Sequence, residues 1–75
     1  MIFESIRRIL ALHLEINEEL IGENTDIMDD LGADSLDIAE LVMVFEEKFG
    51  LLITGDDVSK LKTAGDIAEF IQRRI

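Results

Sequence analysis

The 75-residue chain has no cysteine, proline, tryptophan or tyrosine, and His13 is its single histidine. Without thiols there is no disulfide, no thiolate nucleophile and no cysteine-based zinc site. One histidine excludes a multi-histidine metal centre and any Cys/His dyad. Basic residues are also scarce: 7 Lys plus Arg stand against 17 Asp plus Glu, a formal net charge of −10. That imbalance opposes nucleic acid and anionic membrane surfaces, which both demand Lys and Arg, so the natural partner is a basic protein surface. No apolar run approaches the roughly 20 residues of a membrane span. Met1-Ile2-Phe3-Glu4 lacks the basic and apolar regions of a secretion signal, and a cytoplasmic or organelle-matrix location is the expectation.

Length bounds the rest. A chain this short makes one domain, residues 1–75. Such a domain buries only about 60% of its unfolded surface, too little for a deep cavity with its own catalytic shell. An autonomous enzyme is not expected. Disorder is opposed by a 48% hydrophobic fraction rich in Ile, Leu and Val, enough for a small aliphatic core.

Periodicity predicts an all-α bundle of three main helices plus one short third helix, with no useful strand-like alternation. Ile2, Ile6, Ile9, Leu10 and Ile16 share one side of a helix spanning Ile2 to Ile16. Asn17 to Gly32 loses periodicity and reads as a long connection anchored by Ile21, Ile27, Met28 and Leu31; a loop of that length is usually functional. The second helix should start at Asp34 or Ser35, with Asp37 in its first turn, and stop at Gly50. Its core face is Ile38, Leu41, Val42, Phe45 and Phe49. Asp37, Glu40, Val44 and Glu47 lie opposite, with Leu36 and Met43 at the edge. A short helix is expected from Asp56 to Leu61. Thr63 then caps a last helix in capping-box fashion with Asp66, and Ile67, Phe70, Ile71 and Ile75 form its core stripe.

The run Asp29-Asp30-Leu31-Gly32-Ala33-Asp34-Ser35-Leu36-Asp37 is dense in oxygen donors, but no frame fits a calcium loop. Starting at Asp26 puts Met28 at position 3, and starting at Asp30 puts Leu41 at position 12. Weak, exchangeable Mg²⁺ or Ca²⁺ binding is compatible with the pooled carboxylates; a dedicated metal site is not expected. Ser35 has no base near it in sequence, and His13, on the apolar side of the first helix, is read as a partly buried structural residue. Ser35 at a helix start is open to two readings: part of an ordinary cap region, or a modification point where a phosphate ester would meet free N–H groups and the positive end of the dipole. Neighbouring Asp34 would repel such a phosphate, so composition leaves both open.

Asp30-Leu31-Gly32-Ala33-Asp34-Ser35-Leu36-Asp37, followed by Glu40-Leu41-Val42-Met43 and Phe45-Glu46-Glu47-Lys48-Phe49, resembles the signature of the discrete acyl carrier proteins of dissociated, type II fatty acid synthesis. Ile2-Phe3-Glu4 with Ile6, Ile9 and Leu10 resembles that family's first helix, and Thr63-Ala64-Gly65-Asp66-Ile67 with Phe70-Ile71 its last. The resemblance implies a four-helix acyl-carrier bundle that catalyses nothing. It also implies attachment of 4′-phosphopantetheine to Ser35 by a phosphopantetheinyl transferase, with coenzyme A as donor. The arm would supply the thiol that the chain lacks and carry fatty acyl groups as thioesters. Asp34, Asp37, Glu40 and Glu47 match the family's recognition positions, interleaved with Leu36, Met43 and Val44, and would meet basic patches on acyl-processing enzymes. Twelve acidic residues and no Lys or Arg lie between Arg8 and Lys48, around Ser35. Electrostatic steering with few apolar contacts suits partners that bind quickly and leave again, and the carrier is expected to be a cytoplasmic monomer.

Departures from the family pattern are Gly50-Leu51-Leu52-Ile53-Thr54-Gly55 in place of a more acidic segment, Lys60 and Lys62 nearby, outward Leu12, and Leu14-Glu15-Ile16 where Leu-Gly-Val is common. They leave room for a specialised carrier of polyketide, aminoacyl or D-alanyl groups. The alternative from another class is an unmodified acidic helical protein-binding module.

Overall fold

The apolar stripe at the start of the chain folds as α1 (Ile2–Leu14) in the computed structural model, which describes residues 2–75. The helix stops two residues short of the expected Ile16 because Glu15 turns left-handed, at φ 57°. The Ile16 N–H then folds back onto the Ala11 carbonyl at 3.0 Å. This is the backbone termination that glycine usually supplies, imposed here on a glutamate. A single 3₁₀ turn, Glu18–Leu20, follows, capped by the Asn17 side chain, which accepts from the Glu19 N–H at 2.9 Å. Nothing in the periodicity of the long connection signalled it.

Helix α2 (Ser35–Phe49) begins and ends where its chemistry says it should. Gly50 takes φ 64°, and the Gly50 and Leu51 N–H groups both reach the Glu46 carbonyl, at 2.9 and 3.3 Å. The Glu46 carboxylate accepts from the Ile53 N–H at 2.8 Å and so pins the next segment to α2.

Helix α3 (Gly55–Ser59) is shorter than the Asp56–Leu61 span expected from sequence. A reciprocal Thr54/Asp57 box fixes its start one residue earlier. The Lys60 and Leu61 N–H groups bond three residues back, at 3.1 and 3.0 Å, and leave α geometry. Helix α4 (Ala64–Arg74) opens with the Thr63/Asp66 box that the sequence announces. Both box carboxylates sit below the ordinary aspartate range. For Asp57 the causes are the Thr54 N–H, then the Thr54 hydroxyl, then the charges of Arg74 and Lys60; for Asp66 they are the N–H groups of Thr63 and Lys62.

Among the described residues no β-strand forms; Asp26 and Thr63 make one isolated antiparallel bridge. The core gathers Ile6 and Leu10 of α1, Leu41 and Phe45 of α2, and Ala64, Ile67, Ala68 and Ile71 of α4. Helices α1 and α4 form the main helix pair, and Ala64 and Ala68 of α4 are buried in the core. Ile75, expected on the α4 stripe, lies past the last helical residue and is exposed.

The long connection is stitched to the start of α4. Ile27 donates to the Lys62 carbonyl at 3.0 Å, while Ala64 and Gly65 donate to the Thr25 and Glu23 carbonyls at 3.1 and 2.9 Å. Two N–H groups that a helix start leaves without intrahelical partners are thereby satisfied. Gly65 is required here, since a Cβ at that position would lie 2.6 Å from the Glu23 carbonyl oxygen. Ile21 and Ile27 are buried anchors as expected, but Met28 is exposed and Ala33 is buried instead. The Asp26 carboxylate explains the exchange. It accepts from the Met28 and Asp29 N–H groups at 3.0 and 2.8 Å and swings that turn outward.

Candidate functional site

Helix α2 presents Ser35 as its first residue, exposed and at the open end of the dipole. Capping falls entirely to Asp34. Its backbone is extended, its carboxylate accepts from the Asp37 N–H at 2.9 Å, and the Asp37 carboxylate accepts in return from the Asp34 N–H at 3.2 Å. The Ser35 hydroxyl takes no part in this box and is free for chemistry. The first intrahelical bond runs from Ile38 to the Asp34 carbonyl at 3.0 Å, so the Ser35 and Leu36 N–H groups precede it. An anion on the hydroxyl would find donors and a favourable dipole beside it.

Below Ser35 an open groove of about 470 Å³ runs between α2 and α3, lined by Met28, Ser35, Ile38, Ala39, Val42, Ile53, Gly55 and Val58. Its walls are apolar except at the serine. A second groove of about 370 Å³ continues past Met28, Ile38 and Val58, which border both. Met28, lost to the core, is thus a groove wall. Ile38 and Val42, assigned to the core face by periodicity, are half-buried and divide their surfaces between core and groove. A space of this size lies within the ordinary range for small-molecule sites.

The outer side of α2 carries the remaining residues singled out from the sequence. Leu36, Met43 and Val44 are exposed apolar side chains, 66%, 61% and 36% accessible. Glu40 and Glu47 are exposed beside them, and Asp37 is half-buried by its role in the cap. Asp37, Glu40 and Glu47, with Val44 among them, repeat at helical spacing and form one strip descending from Ser35.

His13 is half-buried at the end of α1, as its place on the apolar side suggested. Its ring, however, has a polar partner that the sequence did not reveal: Nε2 lies 3.0 Å from Glu40 Oε1, tying α1 to α2. The residues are 27 apart in the chain, and no local pattern links them. In the acidic connection, Asp26 and Asp30 spend oxygens on backbone N–H groups; Asp30 accepts from Asp26 at 2.8 Å. Among the described residues, the one group of His and carboxylate atoms close enough to share an ion is His13, Asp37 and Glu40.

Residues 4–71 match the family model of the phosphopantetheine attachment site. The chain is 45% identical to an acyl carrier protein of Phenylobacterium zucineum over 99% of its own length and 94% of that protein. It is 48% identical to an acyl carrier protein of Zymomonas mobilis over 91% and 87% of the two chains. Among solved structures, one described as an acyl carrier protein from Mycobacterium tuberculosis superposes with a TM-score of 0.91 at 28% identity, covering 100% of both chains. No helix among the described residues is long and apolar enough to cross a membrane.

Proposed function

The chain belongs to the acyl carrier protein family and carries its phosphopantetheine attachment-site domain, and from that premise we propose that Ser35 is the attachment point and that the cargo serves fatty acid synthesis. The observation that carries this reading is the uncommitted Ser35 hydroxyl at the start of α2, above the apolar groove. The residues present fit the group. When bound, 4′-phosphopantetheine supplies the thiol that this cysteine-free chain lacks, on which acyl groups ride as thioesters.

The rest is the work of the chain itself. Asp34 and Asp37 hold the helix start rigid, so that Ser35 is offered to a phosphopantetheinyl transferase in one orientation. The Ser35 and Leu36 N–H groups offset the charge placed on the serine oxygen, against the repulsion of Asp34. Ile38, Val42, Ile53 and Val58 offer an apolar bed to an acyl chain, removing it from water at roughly 0.8 kcal/mol per buried CH₂. The strip of Asp37, Glu40, Val44 and Glu47, with Leu36 and Met43, docks basic surfaces of transferase and synthase enzymes. Such contacts raise encounter rates and release readily. The carrier works in this way as a cytoplasmic monomer of one domain and performs no chemistry of its own.

A specialised carrier is the second reading, favoured by Leu12 and Leu52, which are 75% and 71% exposed where a fatty acid carrier need not display leucine. The two readings part in a reconstitution. The pantetheinylated chain is offered malonyl and primer thioesters of coenzyme A together with the malonyl-transfer, condensing, reducing and dehydrating enzymes of dissociated fatty acid synthesis and a nicotinamide hydride donor, and the product is followed by mass. Successive two-carbon extension is expected; a chain that is pantetheinylated yet neither loaded nor extended would contradict the fatty acid assignment and favour the specialised one.

A further inference from the structure

We propose that His13, Asp37 and Glu40 bind a single zinc-class divalent ion at the junction of α1 and α2, using none of the residues that line the groove below Ser35. The three residues each place a ligating atom within 4.8 Å of the others. Across a tetrahedral zinc with bonds of about 2.0–2.2 Å, ligand atoms sit roughly 3.3–3.5 Å apart. The 3.0 Å His13–Glu40 pair already spans almost that separation, and Asp37, whose ligating oxygen lies within 4.8 Å of both, needs a shift of at most about 1.5 Å to complete the set. Asp37 keeps one oxygen on the Asp34 N–H and leaves the other for the ion. His13 and Asp37, both half-buried on helices, are held by their surroundings, which favours a defined geometry over a mobile one.

The donor set selects the metal. One imidazole with two carboxylates is a nitrogen–oxygen site suited to zinc and its late first-row neighbours, whereas magnesium keeps oxygen ligands and water. Two carboxylates with a neutral imidazole cancel the charge of a dication, and the surrounding acidic surface adds attraction. Three protein ligands leave a fourth position for water. Because Asp37 and Glu40 also lie in the docking strip, an occupied site withdraws two carboxylates from a basic partner; that consequence rests on the docking reading, whereas the site itself does not.

The test uses the full chain without a polyhistidine tag and before any thiol-bearing arm is attached, so that His13 is the only imidazole and no thiol competes. Calorimetric titration near neutral pH should give one zinc site. His13→Gln, which retains an amide facing Glu40, should raise the zinc dissociation constant by roughly tenfold or more while leaving magnesium binding unchanged. Glu40→Gln should act in the same direction. In the unaltered chain, the His13 side-chain nitrogen resonances should shift and saturate at one equivalent of zinc, a readout that stands even where a variant misfolds by circular dichroism. Equal zinc affinity in His13→Gln, or His13 resonances unmoved at one equivalent, would overturn the proposal.

Discussion

Helices α1 and α4 meet through Ile6, Leu10, Ala64, Ala68 and Ile71, all closed to solvent, and the start of α4 is bonded to the long connection at Thr25 and Glu23. Helices α2 and α3 instead face each other across an open groove of about 470 Å³, and the long outer side of α2 shows carboxylates and exposed leucine, methionine and valine. One side of the molecule concentrates the packing. The other side leaves an exposed hydroxyl, an apolar groove and a strip of carboxylates open to solvent. In so small a domain both functions fit only because they are separated. If the groove takes the cargo, as proposed, a soft wall on that side favours release, provided the opposite wall is firm.

A cavity in the firm wall should have the largest effect. Ile71→Ala, at a fully buried site on α4, should cost about 3–4 kcal/mol. Val42→Ala, on the groove wall, should cost about 1 kcal/mol or less, because that site is already partly open. Urea denaturation of the two variants measures the difference, and equal losses would erase the distinction between the walls.

A backbone test comes next. Gly65→Ala drives a methyl group into the Glu23 carbonyl, and the seam between connection and α4 should weaken by about 2 kcal/mol or more. Gly55→Ala, at the start of α3 with nothing within 4 Å of an added Cβ, should be neutral or slightly stabilising, by up to about 1 kcal/mol. Thermal melts of the pair show whether the α4 side tolerates less than the α3 side.

Acid should act on both sides through the caps. Asp57 and Asp66 have folded values depressed below 3.8. Their stabilisation is therefore fully present above 3.8 and is lost as the pH falls through the lower folded values. Asp66→Asn should flatten the acid limb of the stability–pH curve without changing its shape above pH 5, as read by urea midpoints across the range. The smallest effect is expected at Glu15, where glycine would relieve a left-handed glutamate. Glu15→Gly should raise stability by about 0.5–1 kcal/mol, measured in the same way.

Most helix boundaries were legible because their chemistry is local. Thr63 and Asp66 lie three residues apart and box together; Asp34 and Asp37 do the same; Gly50 stops α2 with the one residue type that turns left-handed freely. The end of α1 lies two residues before the expected Ile16 because Glu15 performs a task that glycine normally marks. Met28 looked like a core anchor until the Asp26 carboxylate turned it outward, and Ile75 continued a stripe that had no helix left to carry it. The groove was hidden for a related reason: Ile38 and Val42 have the periodicity of a core face, and only the position of α3 shows which part of that face lies open. The His13–Glu40 contact joins two helices, and such a pairing leaves no spacing to read. Local bonding, then, was written in the sequence, while shared surfaces between elements had to be seen.

The central claim is that the free hydroxyl of Ser35, on the open side, is where the working group is attached. It is tested most directly by the intact mass of the folded chain after incubation with coenzyme A and a broad-specificity phosphopantetheinyl transferase, followed by fragmentation to locate the change. The account predicts a gain of one phosphopantetheinyl group, found on Ser35 and absent from Ser35→Ala. No gain on the folded chain, or a gain that persists in Ser35→Ala, would contradict it.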